Sequence, residues 1–247
     1  VIAADAPVFR FDSVSSTMDE ARRLFAEGQD APFWVRANAQ TAGRGRRGRA
    51  WVSAPGNLFC TYGANIAVPP GQAALLGFVA ALAVADLADA AAGRACARLK
   101  WPNDVLAEGG KCAGILLEAE AAPDGATRLL LGIGVNLVGA PEDVGYPTMD
   151  LTRLGGAVSV EGLFSDLTVR LVHWSALFVT QGFGPIRAAW LARARGLGEP
   201  IGVVIGEETI TGCFATLSDS GELVIDLASG GVRSISAGEV FFPGSAL

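Results

Sequence analysis

Between Arg49 and Asp86 no side chain carries a charge. A stretch that long cannot lie along a solvated surface, so most of it must fold inward against other apolar segments. Leu58 to Ile66, rich in aromatic and small apolar residues, reads as a strand. Pro69 and Pro70 interrupt regular pairing. Gly71 to Ala92 then reads as a long, nearly all-apolar helix. The Ala-rich run inside it, Gln72 to Ala85, is shorter than the ~20 residues a membrane crossing requires, so the expectation is a core helix. With 51% of its 247 residues hydrophobic, the chain can enclose such a helix in one large domain, or in one large and one small.

The flanking sequence supplies further elements. Ser16-Thr17-Met18-Asp19-Glu20 is a helix start: a hydroxyl to cap free N–H groups, acids in the first turn, then apolar Ala21, Leu24 and Phe25. Trp34 to Ala37 and Arg94 to Lys100 read as strands, the second stopping at Trp101-Pro102. Cys112 to Glu118 and Leu129 to Asn136 read as two strands joined at Pro123-Asp124-Gly125. Their unbroken apolar runs predict burial on both faces. Gly139 to Leu154 reads as a loop, and Glu161 to Val179 and Ile186 to Arg195 as amphipathic helices. After Gly196 the texture changes to short strands at 200–205, 210–215, 223–227 and 232–235, separated by Gly, Asp and Ser turns. That pattern predicts a small β-barrel over 197–247 docked on a larger domain over 1–196.

Charge is spent sparingly. The chain has a formal net charge of -6, with 18% charged residues. That is too few for a disordered chain and argues against a general nucleic-acid binder. Yet Gly43-Arg44-Gly45-Arg46-Arg47-Gly48-Arg49 gathers four arginines in one loop. Glycines let its backbone come close to a ligand, and guanidinium groups suit phosphate or carboxylate. Trp51 follows, an aromatic plane on which a base can stack. A small nucleotide, a nucleic acid or a plain solvated loop all fit these residues. The chain has only two lysines, Lys100 and Lys111, against seventeen arginines. An arginine-favouring genome explains the surface, but the two retained lysines are candidates for work that a planar guanidinium cannot do.

Other chemistry is narrowed by what is scarce. The one histidine, His173, stands beside Trp174 in a helical stretch and reads as a packing or surface residue. Histidine-rich metal clusters and Ser-His-Asp catalysis are thereby disfavoured. Cys60, Cys96, Cys112 and Cys213 show no metal spacing and read as reduced thiols of a cytoplasmic protein. Val1 to Ser16 has no signal-peptide pattern. Lys100-Trp101-Pro102-Asn103-Asp104 is a strand end with a polar turn. It is also a place where an amide (Asn103) and a carboxylate (Asp104) could meet a ligand. Gly132-x-Gly134 before Asn136 could admit a flat ligand against the backbone, or serve sheet packing.

Together these pieces resemble the biotin–protein ligases over nearly the whole chain. The motifs are Ser15-Ser16-Thr17, Gln40 ahead of Ala42, the arginine loop with Trp51, KWPND at 100–104, KCAGILLE at 111–118 and GIGVNL at 132–137. The resemblance implies an α+β fold: a mixed β-sheet catalytic domain flanked by helices, as in class II synthetases and lipoate ligases, with a C-terminal SH3-like barrel. It implies that biotin's carboxylate attacks the α-phosphate of MgATP, and that biotinyl-5′-AMP then passes its acyl group to a lysine of a biotin carboxyl carrier protein domain. Arg46 and Lys111 would hold carboxylate and α-phosphate. Ser16, Thr17, Gln40, Gly43, Arg44 through its backbone, Gly114, Gly132 and Gly134 would line the biotin slot. Arg47, Arg49, Trp51, Asn103 and Asn136 would surround the nucleotide, and Asp104 would orient or deprotonate the incoming lysine. Ile115 and Leu116 would wall out water. No protein ligand to magnesium is assigned.

The sequence departs from that family at Met18, where many members carry asparagine. The catalytic region starts within twenty residues of Val1, which leaves the expectation of a ligase without a DNA-binding domain, binding neither DNA nor membrane, as monomer or homodimer. The arginine loop is expected to be mobile until a ligand orders it, because its cations repel one another. A lipoate or octanoate ligase of the same fold and a non-enzymatic RNA-binding module are the rival readings.

Overall fold

The computed structural model describes residues 2–122, 125–142, 144–156 and 159–243. Its frame is a seven-stranded mixed sheet in the order β1-β2-β3-β7-β6-β5-β4. The strands are β1 (Val8–Val14), β2 (Phe33–Gln40), β3 (Leu58–Ile66), β4 (Ala97–Lys100), β5 (Asp104–Ala107), β6 (Gly110–Ala121) and β7 (Thr127–Val135). All neighbours are antiparallel except β1 and β2, which run parallel across the helix α1 (Thr17–Ala26). Helix α1 starts as the residue pattern dictates, with Ser16 Oγ accepting from the Met18 N–H.

The uncharged stretch forms β3 and the central helix. That helix comes in two pieces, α2 (Pro70–Ala73) and α3 (Leu76–Ala92), not one element from Gly71. Tight three-residue bonds at the junction (Leu75 N to Gln72 O and Phe78 N to Leu75 O) turn the chain between them. Pro70–Ala92 is long and apolar enough to cross a bilayer, more than the Ala-rich run alone. Even so, 72% of its most apolar window is buried within the fold. Helix α3 packs on β4–β6 and on α4 (Val160–Gln181) and α5 (Phe183–Ala192). Its alanines let these neighbours approach closely.

The strand expected from Arg94 begins only at Ala97. Gly93 ends α3 in the left-handed conformation, and the Cys96 and Ala97 N–H groups donate to Asp89 Oδ1 at 2.7 and 2.8 Å. The last helix ends at Ala192, short of the expected Arg195. Residues 193–195 instead add to the free edge of β4: Leu99 N donates to Arg193 O and Arg195 N to Leu99 O, both at 2.8 Å. Burial on both faces holds for β7 over Leu129–Ile133. It fails for β6, where Gly114 and Leu116 line an open cleft. Strands β1 and β5 were not anticipated, although Phe9 and Phe11 of β1 pack on α1's apolar face. Of the turn between β6 and β7, Pro123 and Asp124 lie outside the described residues.

Beyond Arg195 a second sheet forms in the order β11-β10-β9-β8-β12, antiparallel throughout. It comprises β8 (Pro200–Ile205), β9 (Glu208–Leu217), β10 (Leu223–Leu227), β11 (Val232–Ile235) and β12 (Glu239–Phe241). The third residue of β12 is followed by Phe242, over whose ring the Arg195 guanidinium lies at 4.7 Å. The two sheets also meet at Trp101, which is 3% exposed and donates from Nε1 to Gly221 O at 3.1 Å. Trp101→Phe would keep an aromatic ring, smaller than the indole, but strand that carbonyl. A loss of about 1–3 kcal/mol of stability is expected, read from the urea unfolding midpoint.

Candidate active site

The cleft between the seven-stranded sheet, the arginine loop and β12 has a volume of about 1100 Å³. At one end the N-terminus of α1 presents Ser16 and Thr17, both nearly buried. Gln40, at the end of β2, accepts through Oε1 from Thr17 N at 2.8 Å and from Thr17 Oγ1 at 3.2 Å. Met18 lies over Gly132 of β7, where an added Cβ would come within 2.9 Å of the sulfur. This end offers hydroxyls, an amide and apolar walls from Leu116 and Ile115.

Lys111 of β6 stands in the middle. Its Nζ lies 2.7 Å from Asp104 Oδ1, with the two side chains 16% and 19% exposed. The same ammonium sits 5.3 Å from the Trp51 ring centroid and 5.4 Å from that of Tyr146. The backbone on either side of the cation is fixed: Lys111 N donates to Pro147 O and Met149 N to Lys111 O. Asp104 and Lys111 meet because β5 and β6 are neighbours, with Asp104 opposite Gly114 and a register shift after Val105.

Trp51 covers the floor beside Lys111. A Cβ at Gly134 would lie 2.7 Å from its Nε1, and one at Gly114 would lie 3.0 Å from its Cζ3. The paired glycines therefore admit an aromatic plane, here the protein's own indole. Trp51 Nε1 is buried against Gly134 with no hydrogen-bond partner among the described residues.

The arginine loop closes the cleft as a short 3-10 turn at Arg46–Gly48, with Arg47 in the left-handed region at φ 55°. Two of its cations have partners, contrary to the picture of mutual repulsion alone. Arg44 pairs with Asp19, and Arg49 grips both oxygens of Glu239 in β12. Burial, and Arg47 beside it, lower the Arg46 pKa, opposed by Asp104 and Glu239. Hydrogen bonding from Arg49 holds the Glu239 carboxyl below its ordinary range. The carboxylate is therefore charged at neutral pH, and the bridge stays closed to lower pH than an unpaired glutamate would allow. Glu239→Gln should loosen the loop and raise tryptic cleavage at Arg47 and Arg49 by roughly two- to fivefold, the scale of an exposed ion pair. Unchanged cleavage rates would show that Glu239 does not tether it.

Of the site residues read from the sequence, the cleft gathers Ser16, Thr17, Gln40, Arg44, Arg46, Arg47 and Arg49. It also takes in Trp51, Asn103, Asp104, Lys111, Gly114, Gly132 and Gly134. Two stand outside its lining. Gly43 is buried at the neck of the loop, where Trp51 N donates to its carbonyl at 2.8 Å. Asn136 is 2% exposed and donates to the Lys111 and Met149 carbonyls, so its amide clamps the strand that carries Lys111. It reaches only a side pocket of about 20 Å³ shared with Trp51 and Tyr146. Asn103 also spends a donor internally, on Ile115 O at 2.8 Å.

Several cleft residues were not singled out for this role. Lys100, one of the two lysines and the start of KWPND, carries no assigned contact in the sequence reading. It lines the cleft near Asp104 and Glu239, and burial lowers its pKa. Glu239, Tyr146 and Phe242 carried no local signal, because each enters from a distant segment. Among the described residues no group of three or more His, Cys, Asp and Glu side chains converges.

The chain belongs to the biotin/lipoate A/B protein ligase family, whose pattern matches residues 9–136. Residues 196–242 match the biotin protein ligase C-terminal domain. The chain is 46% identical over 241 residues to a biotin–[acetyl-CoA-carboxylase] ligase of Paracoccus denitrificans, covering 93% of this chain and 98% of that protein. A ligase of the same name from Mycobacterium tuberculosis is 36% identical over 215 residues, covering 83% and 76%. Among solved structures, the biotin protein ligase from Aquifex aeolicus in complex with biotin and ATP superposes with a TM-score of 0.78 at 26% identity. That match covers 95% of this chain and 97% of the other.

Proposed function

We propose that this cleft joins biotin to ATP and then delivers the biotinyl group to a carrier protein's lysine. The observation that carries this reading is the place of Lys111. Its ammonium stands between a slot of hydroxyls and an amide and a cleft end rich in guanidinium groups. In the first step a biotin carboxylate oxygen bonds to the α-phosphorus, and the bond from that phosphorus to the bridging oxygen breaks, releasing pyrophosphate. Both reactants are anions, so the step needs cations that bring them together and stabilise charge growing on the phosphoryl oxygens. Arg46 and Lys111 supply them, with Arg47 and Arg49 toward the remaining phosphates. Lys111, a compact charge on a flexible stem, leaves Asp104 to follow the moving oxygens. Magnesium arrives with the nucleotide as part of the substrate.

In the second step the acceptor amine attacks the acyl carbon and AMP departs. The amine must shed a proton, and Asp104, freed of Lys111, is the carboxylate at hand to take it. Ser16, Thr17 and Gln40 suit the ureido group, whose donors and acceptors are compactly set. Trp51 offers the nucleotide end an aromatic plane beside the Lys111 ammonium. Names of the similar proteins support acetyl-CoA carboxylase's carrier domain as acceptor. We assign catalysis to residues 1–196 and a docking or shielding role to 197–247. Four free cysteines fit a reducing cytoplasm.

Incubation with biotin and MgATP is expected to yield biotinyl-5′-AMP by mass spectrometry, then a biotinylated carrier domain on its addition. Adenylation of lipoate in place of biotin would replace this reading with the lipoate ligase activity of the same family.

A further inference from the structure

The geometry points to Ser53 as a positioning residue that couples the vitamin end of the cleft to the nucleotide end. Ser53 is 9% exposed and does not line the cleft. It touches the site only through two residues that do. Gln40 Nε2 donates to Ser53 Oγ at 2.9 Å, and Ser53 Oγ donates to the Trp51 carbonyl at 2.9 Å.

The direction of this relay is determined, not arbitrary. The backbone N–H of Thr17 can only donate, so the Gln40 amide must turn its oxygen toward α1. Its nitrogen must then face Ser53. The serine oxygen therefore accepts from Gln40, and its single proton is left for Trp51. At the other end the Thr61 hydroxyl donates to Thr17 Oγ1 at 2.9 Å, so the chain runs one way from Thr61 to Trp51. Trp51 in turn donates its backbone N–H to Gly43 O at 2.8 Å and so closes the neck of the arginine loop. Gly43 is where these groups converge. A Cβ there would lie 2.6 Å from the Trp51 carbonyl oxygen and 2.9 Å from Gln40 Nε2, and it would also collide with the serine hydroxyl. No side chain can stand in that place without parting the clasp.

This inference rests on the reading of Ser16, Thr17 and Gln40 as the biotin slot. A ureido ligand held by Thr17 and Gln40 restrains the Gln40 amide. That restraint keeps Ser53 in its accepting role and Trp51 with the loop neck in register. A nucleotide binding second meets a neck already ordered, so the ordering cost is met once for both ligands. Linkage makes the effect mutual.

Calorimetric titration of the full chain with biotin, with α,β-methylene-ATP, and with each in the presence of the other tests it. In the wild type each ligand is expected to tighten the other about tenfold, within the usual span of such couplings. Ser53→Ala should reduce that enhancement to about twofold or less while each ligand alone binds within about threefold of wild type. Ser53→Thr, which keeps the hydroxyl, should restore it. Undiminished enhancement in Ser53→Ala overturns the inference. So does a loss of biotin affinity alone as large as the loss of coupling, which would mark Ser53 as merely structural. Wild type that binds both ligands with no mutual effect sinks the coupling but leaves the proposed function standing. Wild type that fails to bind biotin sinks both.

Discussion

Replacing Lys111 with alanine is expected to slow adenylate formation by about two to three orders of magnitude, the usual cost of losing one preorganised charge contact at a developing oxyanion. The fold should survive. The side chain faces the cleft, and the bonds from Lys111 N to Pro147 O and from Met149 N to Lys111 O belong to the backbone. The Asp104 carboxylate loses its partner, but at 19% exposure and beside open cleft it retains water, so the stability cost is small beside the catalytic one. Lys111→Arg should rescue poorly. A planar fork next to Trp51 and Tyr146 cannot track a moving oxygen as a point charge does. Biotin-dependent ATP–pyrophosphate exchange measures the effect, with the thermal midpoint as control. Exchange near the wild-type rate would remove Lys111 from the first step.

Gly134→Ala should selectively weaken nucleotide binding. The new methyl would lie 2.7 Å from the Trp51 indole, which rests on the floor that Gly134 and Gly114 leave open. Overpacking of this kind costs about 1–3 kcal/mol, which corresponds to roughly a 5- to 150-fold loss of affinity if binding requires the indole in place. Relief of the strand glycine's conformational cost returns only about 0.5–1 kcal/mol, so the clash wins. Gly132→Ala offers the comparison. Its methyl would meet Met18 Sδ at 2.9 Å, and a flexible thioether can swing aside where an indole cannot. Calorimetry with α,β-methylene-ATP should show the larger loss at Gly134 and the smaller at Gly132. Equal effects would show that Trp51 does not form part of the nucleotide floor.

Much of this was legible in the residues. Strand β3 occupies Leu58–Ile66 as its pattern predicts, and Ser16 caps α1 through its hydroxyl. The arginine loop, Lys111, Asp104 and the paired glycines do face one cleft. Other features depend on distant partners. The resemblance set Asn136 beside the nucleotide; in the fold its amide donates to the Lys111 and Met149 carbonyls. The GxG pattern promised space for a flat ligand, and Trp51 lies against Gly134 there. The helix expected to reach Arg195 stops at Ala192, since the edge of β4 offers residues 193–195 better-placed partners than another helical turn would. None of these outcomes can be read from the segment concerned.

By itself, then, the order of residues decided the elements and the inventory of charges. Caps, prolines and apolar spacing act within a turn of helix or a few strand positions, where the chain's own stereochemistry governs. The tertiary structure decided which groups are already taken. Arg49 finds Glu239 across 190 residues, Ser53 reaches Trp51 and Gln40, and Lys111 settles on Asp104. Those pairings depend on burial and on distances set by two packed sheets, and no local pattern carries that information.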